Sequence, residues 1–312
     1  MGHSGWISLG KVFGPDQGPD WMRSHAQVPT PLLDEDAGII RVYFASRPQP
    51  GLTLTSFVDL DIRDPRKIIY VNEKPILELG RPGTFDEHGI MPSCAVRHGK
   101  EVYLYYSGWS QSVGVPYTNS TGLAISRDGG ASFAKISEGP ILAKSRVDPF
   151  SATSPFVMKA NNEWLMWYCS GTGWIPYQGK QEHIYDIKFA RSDDGINWKV
   201  EGIVALPATE AEQALTRPWV RQVSGVWEMF YCHRKACDFR DGEGAYNLNV
   251  ALSNNLDTWK RQPIGQEEFP RHAWDQKTQA YPALIGANGT TYLFYNGDGF
   301  GVDGFGILMA KP

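Results

Sequence analysis

A charged cluster, Asp86-Glu87-His88, stands directly before two apolar stretches in the segment FDEHGIMPSCAVRHGKEVYLYYSGW. Asp148 and Asp275 precede similar apolar stretches further along the chain. Paired carboxyl groups can cleave a glycosidic bond when one is held protonated and the other stays ionised. The expected roles are general acid for Glu87, because Asp86 and His88 can tune its protonation, and base or nucleophile for Asp148. Asp275 is the alternative to Asp148.

A second group of candidates could hold a ligand beside these acids. Aromatic faces stack on sugar rings, while arginine, lysine and histidine donate to phosphate or carboxylate groups. A local set of cationic side chains is informative because the whole protein has a formal charge of −4. The candidate ligand-binding residues are Arg23, His25, Asp86, His88, Trp109, Trp174, Arg217, His233, Arg234 and Lys277.

Each assignment has a structural alternative. The acids could cap turns that lead into hairpins, and the histidines could be packed in the core. The tryptophans could pack between repeating units, and Arg217 could form a buried ion pair. Asp238, Asp241 and Glu243 lie in a glycine-containing loop, where solvated charge is ordinary.

A repeat of about 63 residues determines how these side chains are positioned. Five stretches share a proline, a short apolar run, a turn with Gly or Asn, and an aromatic-rich strand. The prolines are Pro29, Pro92, Pro155, Pro218 and Pro282, separated by 63, 63, 63 and 64 residues. A fixed period of this kind predicts a series of similar supersecondary units.

Each unit continues with a strand, a polar turn, an aromatic residue and another strand, as in IKFARSDDGINWKVEGIVAL. The Ser-x-Asp-Gly turns tolerate positive φ and suit hairpin tips. Phe133, Trp198 and Trp259 are expected to pack into the neighbouring unit. Two hairpins per unit, without helical periodicity between them, predict an all-β fold: one five-bladed β-propeller domain spanning residues 1–312, with four antiparallel strands per blade.

The two ends of the protein are expected to share the last blade. The terminal GILMAKP supplies a third strand without a fourth, and the initial GWISLGKVF carries Trp6 where NWKVEGIVAL carries Trp198. The first strand should complete the last blade and leave no free sheet edge. In such a ring the segments before the repeat prolines, and the long loops after each second strand, surround one central funnel that carries function.

The sequence resembles the five-bladed propeller glycosidase superfamily: glycoside hydrolase family 43, the invertase-like enzymes and the mannoside phosphorylases of family 130. The resemblance covers all five units and rests on inner hairpins such as GKEVYLYYSG and GTTYLFYNG and on the outer turn SDDGINW. It implies a carbohydrate-active enzyme, namely a glycoside hydrolase or a related phosphorylase or transglycosylase.

One feature departs from family 43, whose members commonly place a catalytic Asp directly before the inner-strand proline. Here those positions hold Val28, Met91, Ser154, Arg217 and Tyr281, so the standard family 43 triad is not expected. The excess of cationic candidates favours an anionic or phosphorylated glycan. The alternatives are a non-catalytic carbohydrate-binding propeller and a protein-interaction scaffold; only an enzyme needs two carboxyl groups facing each other.

Composition and charge limit the classes of partner that the sequence predicts. There is no Lys/Arg run, so neither nucleic acid nor an anionic membrane is an expected partner, and no stretch approaches the roughly 20 apolar residues of a membrane span. The start lacks signal-peptide features, which indicates the cytoplasm. Cys94, Cys169 and Cys232 are expected as buried thiols; Cys232, His233 and Cys237 fit no standard metal spacing, and neither metal nor cofactor is expected. The oligomeric state stays open.

Overall fold

The computed structural model describes residues 5–240 and 242–311, where almost all regular structure is β-strand. Apolar, β-branched and aromatic residues dominate these strands, as a pleated and packed surface requires. Within these ranges, helical structure is limited to 3-10 turns at Pro15–Gln17 and Gln266–Glu268 and one short turn, α1, at Asp298–Gly301. In these residues no helix has the length and apolar character to cross a bilayer. The all-β prediction is confirmed.

The first sheet contains four antiparallel strands in sequence order. They are β2 (Ser24–Asp34), β3 (Ile39–Arg47), β4 (Leu54–Asp61) and β5 (Asp64–Val71). The arrangement is the predicted pair of successive hairpins.

The closing sheet joins the two ends of the protein. It contains β1 (Trp6–Phe13), β18 (Ala280–Ala287), β19 (Thr290–Asn296) and β20 (Phe305–Ala310) in the order β1-β20-β19-β18. β1 runs antiparallel to β20, from Trp6 opposite Ala310 to Phe13 opposite Phe305. The N-terminal strand is therefore the outer strand of the last sheet, as predicted.

The large sheet contains the remaining twelve strands. They form three antiparallel groups: β6 (Gly89–His98), β7 (Glu101–Gln111), β8 (Tyr117–Ser126), β9 (Ala134–Lys135); β10 (Ala152–Ala160), β11 (Glu163–Tyr177), β12 (Lys180–Ser192), β13 (Trp198–Leu206); and β14 (Ala214–Val223), β15 (Val226–Arg234), β16 (Asn247–Ser253), β17 (Lys260–Arg261). One parallel residue pair joins each group to the next, Ala152 with Ser120 and Tyr185 with Ala214. Because of these two links, the hydrogen bonding gives three sheets where the sequence predicts five separate blades.

In four of the five units, an aromatic residue at the outer edge packs against the second strand of the preceding unit. The same kind of aromatic contact thus joins one unit to the next. The pairs and their centroid distances are Phe133–Tyr43 at 5.5 Å, Trp198–Tyr105 at 6.3 Å, Trp259–Trp167 at 6.0 Å and Trp6–Phe230 at 5.9 Å. The predicted equivalence of Trp6 and Trp198 is confirmed.

Candidate functional site

A cavity of about 380 Å³ lies where the first strands of all five units meet. Gln27 of β2, Met91 of β6, Thr153 of β10, Thr216 of β14 and Tyr281 of β18 all line it. Its volume is in the range of small-ligand pockets. Equivalent ends of the five first strands thus form one cavity, the axial cavity.

Strained backbone shapes the floor of the axial cavity. Val28, Ser154, Arg217 and Tyr281, each directly before a repeat proline, have φ values of 51°, 49°, 56° and 58°. A left-handed conformation costs a non-glycine residue about 1–3 kcal/mol and persists only where the surroundings enforce it. Each lies at a break in the strand register. These bulges re-aim the backbone, and three of the four residues line the cavity.

Aromatic side chains form much of the cavity wall. Tyr117 and Tyr185 share a hydrogen bond between hydroxyl groups at 3.1 Å, which fixes two of these rings. The aromatic lining residues are Trp109, Tyr117, Tyr185, Phe239, Tyr246, Tyr281 and Phe300. Rings with polar edges beside small polar groups can bind the mixed apolar and hydroxylated faces of a sugar.

Three arginines and one glutamate place charged groups in the wall of the axial cavity. Arg240 donates to both carboxylate oxygens of Glu182, at 2.6 and 3.2 Å. Arg47 donates to the Gln27 amide oxygen at 3.2 Å, and Arg234 donates to the Tyr246 hydroxyl at 3.1 Å. Within residues 5–240 and 242–311, Glu182 is the only carboxylate that lines the cavity, and neither Arg47 nor Arg234 has a carboxylate partner.

The pKa shifts agree with this excess of positive charge. Burial lowers the pKa of His25 to about 4, and the charge of Arg47 contributes to that shift. Burial likewise lowers the pKa of His183 to about 3, with contributions from Arg234 and Lys144. Burial opposes the charge of Arg234, yet the hydroxyls of Tyr246, Tyr185 and Tyr117 raise its pKa above the ordinary value. Both imidazoles therefore stay neutral at pH 7 while the Arg234 guanidinium stays charged.

A predicted pH dependence follows from His183. Its imidazole is buried and stacks on Trp174 at 4.0 Å. Because the folded-state pKa lies below the unfolded value, the unfolded protein binds more protons as pH falls from about 6.5 towards 3, and the free energy of unfolding should decrease. We expect His183 to account for a loss of about 3 kcal/mol at pH 4.5 relative to pH 7.5.

Urea unfolding at the two pH values measures this loss. His183→Gln should reduce the pH dependence by that amount, and the remainder should reflect His25 and His233, whose pKa values burial also lowers. A His183→Gln variant with the full wild-type slope would contradict the assignment.

Two of the predicted ligand-binding residues, Trp109 and Arg234, line the axial cavity. His88 lies just outside it and stacks on Trp109, with ring centroids 5.8 Å apart. Trp174 stacks on His183 instead of lining the cavity. Arg23 and Lys277 are exposed, and neither belongs to the lining.

The other two predicted histidines have different surroundings. His25 hydrogen-bonds to the Ser24 hydroxyl at 2.9 Å. His233 lies 3.7 Å from the Glu212 carboxylate, away from the axial cavity. Burial lowers the pKa of His233, although Glu212 acts in the opposite direction.

Arg217 has a structural role, because its side chain connects the first strands of three units. It is buried, and its guanidinium reaches from β14 to the carbonyl of Pro92 on β6 at 2.8 Å and to Pro29 and the Thr30 hydroxyl on β2 at 3.0 and 2.7 Å. These acceptors are neutral, so among the described residues the predicted alternative of a buried ion pair is not observed. The predicted ligand-binding role of Arg217 has no support, since its hydrogen bonds are made to the first strands of other units.

The buried candidate acids share one arrangement. Asp86, Asp148 and Asp275 each accept a hydrogen bond from a tyrosine hydroxyl twenty positions later: Tyr106 at 3.0 Å, Tyr168 at 3.2 and 3.3 Å, and Tyr295 at 2.8 Å. Glu212 likewise accepts from the Tyr231 hydroxyl at 3.1 Å. In four units, therefore, the same contact joins the segment before the first strand to the second strand of that unit. This recurrence supports the structural alternative for these acids.

None of these acids lines the axial cavity, and their remaining bonds are internal. Asp148 has 0% exposure and also accepts from Ser170 and Lys188, at 2.7 and 3.1 Å. Asp86 pairs with Lys135 at 2.7 Å. Glu87 accepts from the backbone N–H of Gly83 at 2.7 Å and caps that turn. A catalytic pairing of Glu87 with Asp148 or Asp275 therefore has no support in these contacts.

Sequence reasoning missed the cavity residues Glu182, Arg240 and Arg47. Glu182 and Arg240 belong to long loops that the repeat assigns to the functional face, but nothing in the sequence shows which loop residues turn inwards. Asp238 is exposed and accepts from the backbone of Glu243, and Asp241 lies outside the described residues.

The cysteines agree with the sequence-based expectation. Cys94, Cys169 and Cys232 are buried free thiols, as predicted. No group of possible metal ligands occurs among the residues that the structure describes.

Comparisons with known proteins extend over nearly the whole sequence. No protein-family model matches. "Uncharacterized protein Rv1502" of Mycobacterium tuberculosis (strain ATCC 25618 / H37Rv) is 34% identical over 310 residues, covering 98% of this protein and 99% of the relative.

Solved structures share the fold at low identity. One described as a complex of BT0996 and RGII has a TM-score of 0.75 at 15% identity, and one described as "Glycoside hydrolase" has a TM-score of 0.74 at 15% identity. Each match covers 98% of this protein and 91% of the neighbour. The fold is therefore that of the glycoside hydrolase-like propellers.

Proposed function

The protein belongs to the family of Mycobacterium tuberculosis Rv1502, and we propose that it binds a carbohydrate carrying a negative charge in the axial cavity. The observation that carries the proposal is the composition of the cavity: aromatic rings, small polar side chains, and two arginines without a carboxylate partner in residues 5–240 and 242–311. A buried or half-buried guanidinium has lost hydrogen bonds to water. A carboxylate or phosphate group of a ligand can replace those hydrogen bonds, so these arginines favour an anionic ligand.

The glycoside hydrolase-like fold supports a sugar as the ligand. A structural neighbour is described as a complex with RGII, and the axial cavity lies where the five units converge. Trp109 offers an aromatic face at this position, and Arg47 offers charge on a side chain whose only described hydrogen bond goes to neutral Gln27. An anionic sugar satisfies both kinds of group at once.

Binding without turnover is the function that the geometry supports best. Glycosidase chemistry by paired carboxyl groups requires two, and the described part of the cavity wall contains only Glu182. That carboxylate accepts two hydrogen bonds from Arg240.

The second candidate is transfer of a glycosyl unit to phosphate. Here a phosphate oxygen attacks the anomeric carbon, the bond to the leaving oxygen breaks, and one protein carboxyl donates the proton. The observation that favours it is the proximity of a single carboxylate to cationic side chains in one cavity. Phosphate-dependent breakdown of a glycan by the wild-type protein would make this the leading function.

The proposal predicts a loss of selectivity when Arg47 loses its charge. Arg47→Gln should weaken binding of an anionic sugar by about 10- to 100-fold, because a charge-assisted hydrogen bond contributes about 1.5–3 kcal/mol. Binding of a neutral sugar of the same ring type should change little. Thermal shift and calorimetry with uronic acids, sugar phosphates and their neutral counterparts measure both effects.

Arg63→Gln is the matched control, because Arg63 is an exposed arginine that does not line the cavity and pairs with Asp61. It should leave sugar binding unchanged. Equal affinity of the wild-type protein for charged and neutral sugars would remove the anionic ligand, and no binding at all would remove the carbohydrate proposal.

We also propose that residues 1–312 form one domain with five blades. The three antiparallel groups of the large sheet then count as three blades that touch through single parallel pairs, beside the first and closing sheets. The contribution of all five first strands to one cavity supports this count.

A further inference from the structure

We propose that Thr153 and Asn119 bind hydroxyl groups of the ligand ring and thereby select a polyhydroxylated sugar over other anions of similar size. The inference rests on the proposed carbohydrate function of the axial cavity and names the chemistry that the cavity recognises. Both residues line the cavity. They differ from the cationic side chains by offering neutral donor and acceptor atoms.

The supporting observation is a pair of buried polar atoms without partners. The hydroxyl oxygen of Thr153, a residue with 3% exposure, has no hydrogen-bond partner among the described residues, and neither has the buried side-chain carbonyl oxygen of Asn119. A buried polar atom without a partner destabilises the folded state, so its retention at a cavity wall points to use by a ligand.

Other polar side chains of the cavity wall have hydrogen-bond partners within the protein. The Ser93 and Ser107 hydroxyls are 3.1 Å apart, Ser107 accepts from the Ser154 backbone N–H at 3.0 Å, and the Thr216 hydroxyl lies 3.1 Å from the Cys232 thiol. These groups satisfy one another within the protein. Thr153 and Asn119 are left with hydrogen-bonding capacity at the cavity wall.

The strand register sets one of these residues beside an aromatic face. Asn119 is directly opposite Trp109 in the β7–β8 pairing, and directly opposed residues project on the same face of a sheet. Thr153 precedes the left-handed Ser154, at the bulge of β10. A sugar ring stacked on Trp109 would thus present its edge hydroxyls to neighbouring polar atoms, and an aliphatic or aromatic anion has no such hydroxyls.

The test uses a substitution that removes the hydroxyl but keeps the shape. Thr153→Val should raise the urea midpoint of the ligand-free protein and lower affinity at least 10-fold for whichever anionic sugar, in a panel of uronic acids and sugar phosphates, stabilises the wild-type protein most. Thr55→Val is the control: its buried hydroxyl donates to the Ile90 carbonyl at 2.8 Å and it does not line the cavity. This control should lower the urea midpoint and leave affinity unchanged.

The stability measurement needs no ligand, so it separates this inference from the proposed function. If no sugar of the panel binds the wild-type protein, the carbohydrate function fails, and a stabilised Thr153→Val shows only that the Thr153 hydroxyl is buried without a partner. A destabilised Thr153→Val, or one that binds the best sugar and its deoxy analogues as the wild type does, overturns the inference.

Discussion

A protein lacking residues 1–13 loses most of its stability and aggregates through the exposed edge of β20. Trp6, Val12 and Phe13 are buried, and burial of each large apolar side chain contributes about 1.5–3 kcal/mol. The deletion also removes the backbone pairing of β1 with the apolar strand Phe305–Ala310. We expect a loss of more than about 5 kcal/mol, which is comparable to the whole stability of many domains.

Size-exclusion chromatography and urea unfolding measure both consequences. A synthetic peptide with the sequence of Trp6–Phe13 should restore the monomer, because it can occupy the vacated edge. A peptide of the same composition in scrambled order is the control and should not rescue. A truncated protein that stays monomeric with the wild-type urea midpoint would contradict the role of β1.

The second large effect concerns Asp148, whose buried carboxylate neutralises the ammonium group of Lys188 at 3.1 Å. Asp148→Ala leaves that charge buried and takes the acceptor from the Tyr168 and Ser170 hydroxyls. Breaking one side of a buried pair costs about 3–5 kcal/mol. A large loss of stability in urea, with ligand affinity retained while the protein is folded, would be the signature of a structural acid.

Two comparisons sharpen this test. Asp193→Ala removes the partner of Lys199 from an exposed pair, and exposed pairs contribute about 0–1 kcal/mol. The double variant Asp148→Leu with Lys188→Met should recover much of the lost stability, because no unpaired charge remains. If the Asp148→Ala protein instead kept its stability and lost its function, Asp148 would again be a candidate catalytic residue.

The strands and their closure are predictable from the sequence because each repeat carries the same local information. The outer aromatics, the hairpin turns and the pairing of Trp6–Phe13 with the last sheet depend on period and residue type, and both are visible in the sequence. The number of separate sheets is not predictable in this way, since one parallel pair such as Ala152 with Ser120 merges two groups.

The site is harder to predict for a geometric reason. Proximity to a repeat proline selects Asp86, Asp148 and Asp275, yet tyrosines twenty positions later bind these carboxylates within the packing. Glu182 reaches the cavity from the hairpin of β11 and β12, strands of 15 and 13 residues. Which residue of so long a hairpin turns inwards depends on twist and register, and those are set by tertiary packing.

The reach of the Arg217 guanidinium couples three of the repeated units. Its donors join β14 to β2 and β6, so one side chain holds the first strands of three units together. Gain or loss of a repeat by duplication or deletion would move these strands apart or together and leave a buried cation without its carbonyl acceptors. We therefore expect relatives with another number of repeats to carry a different residue at the position of Arg217.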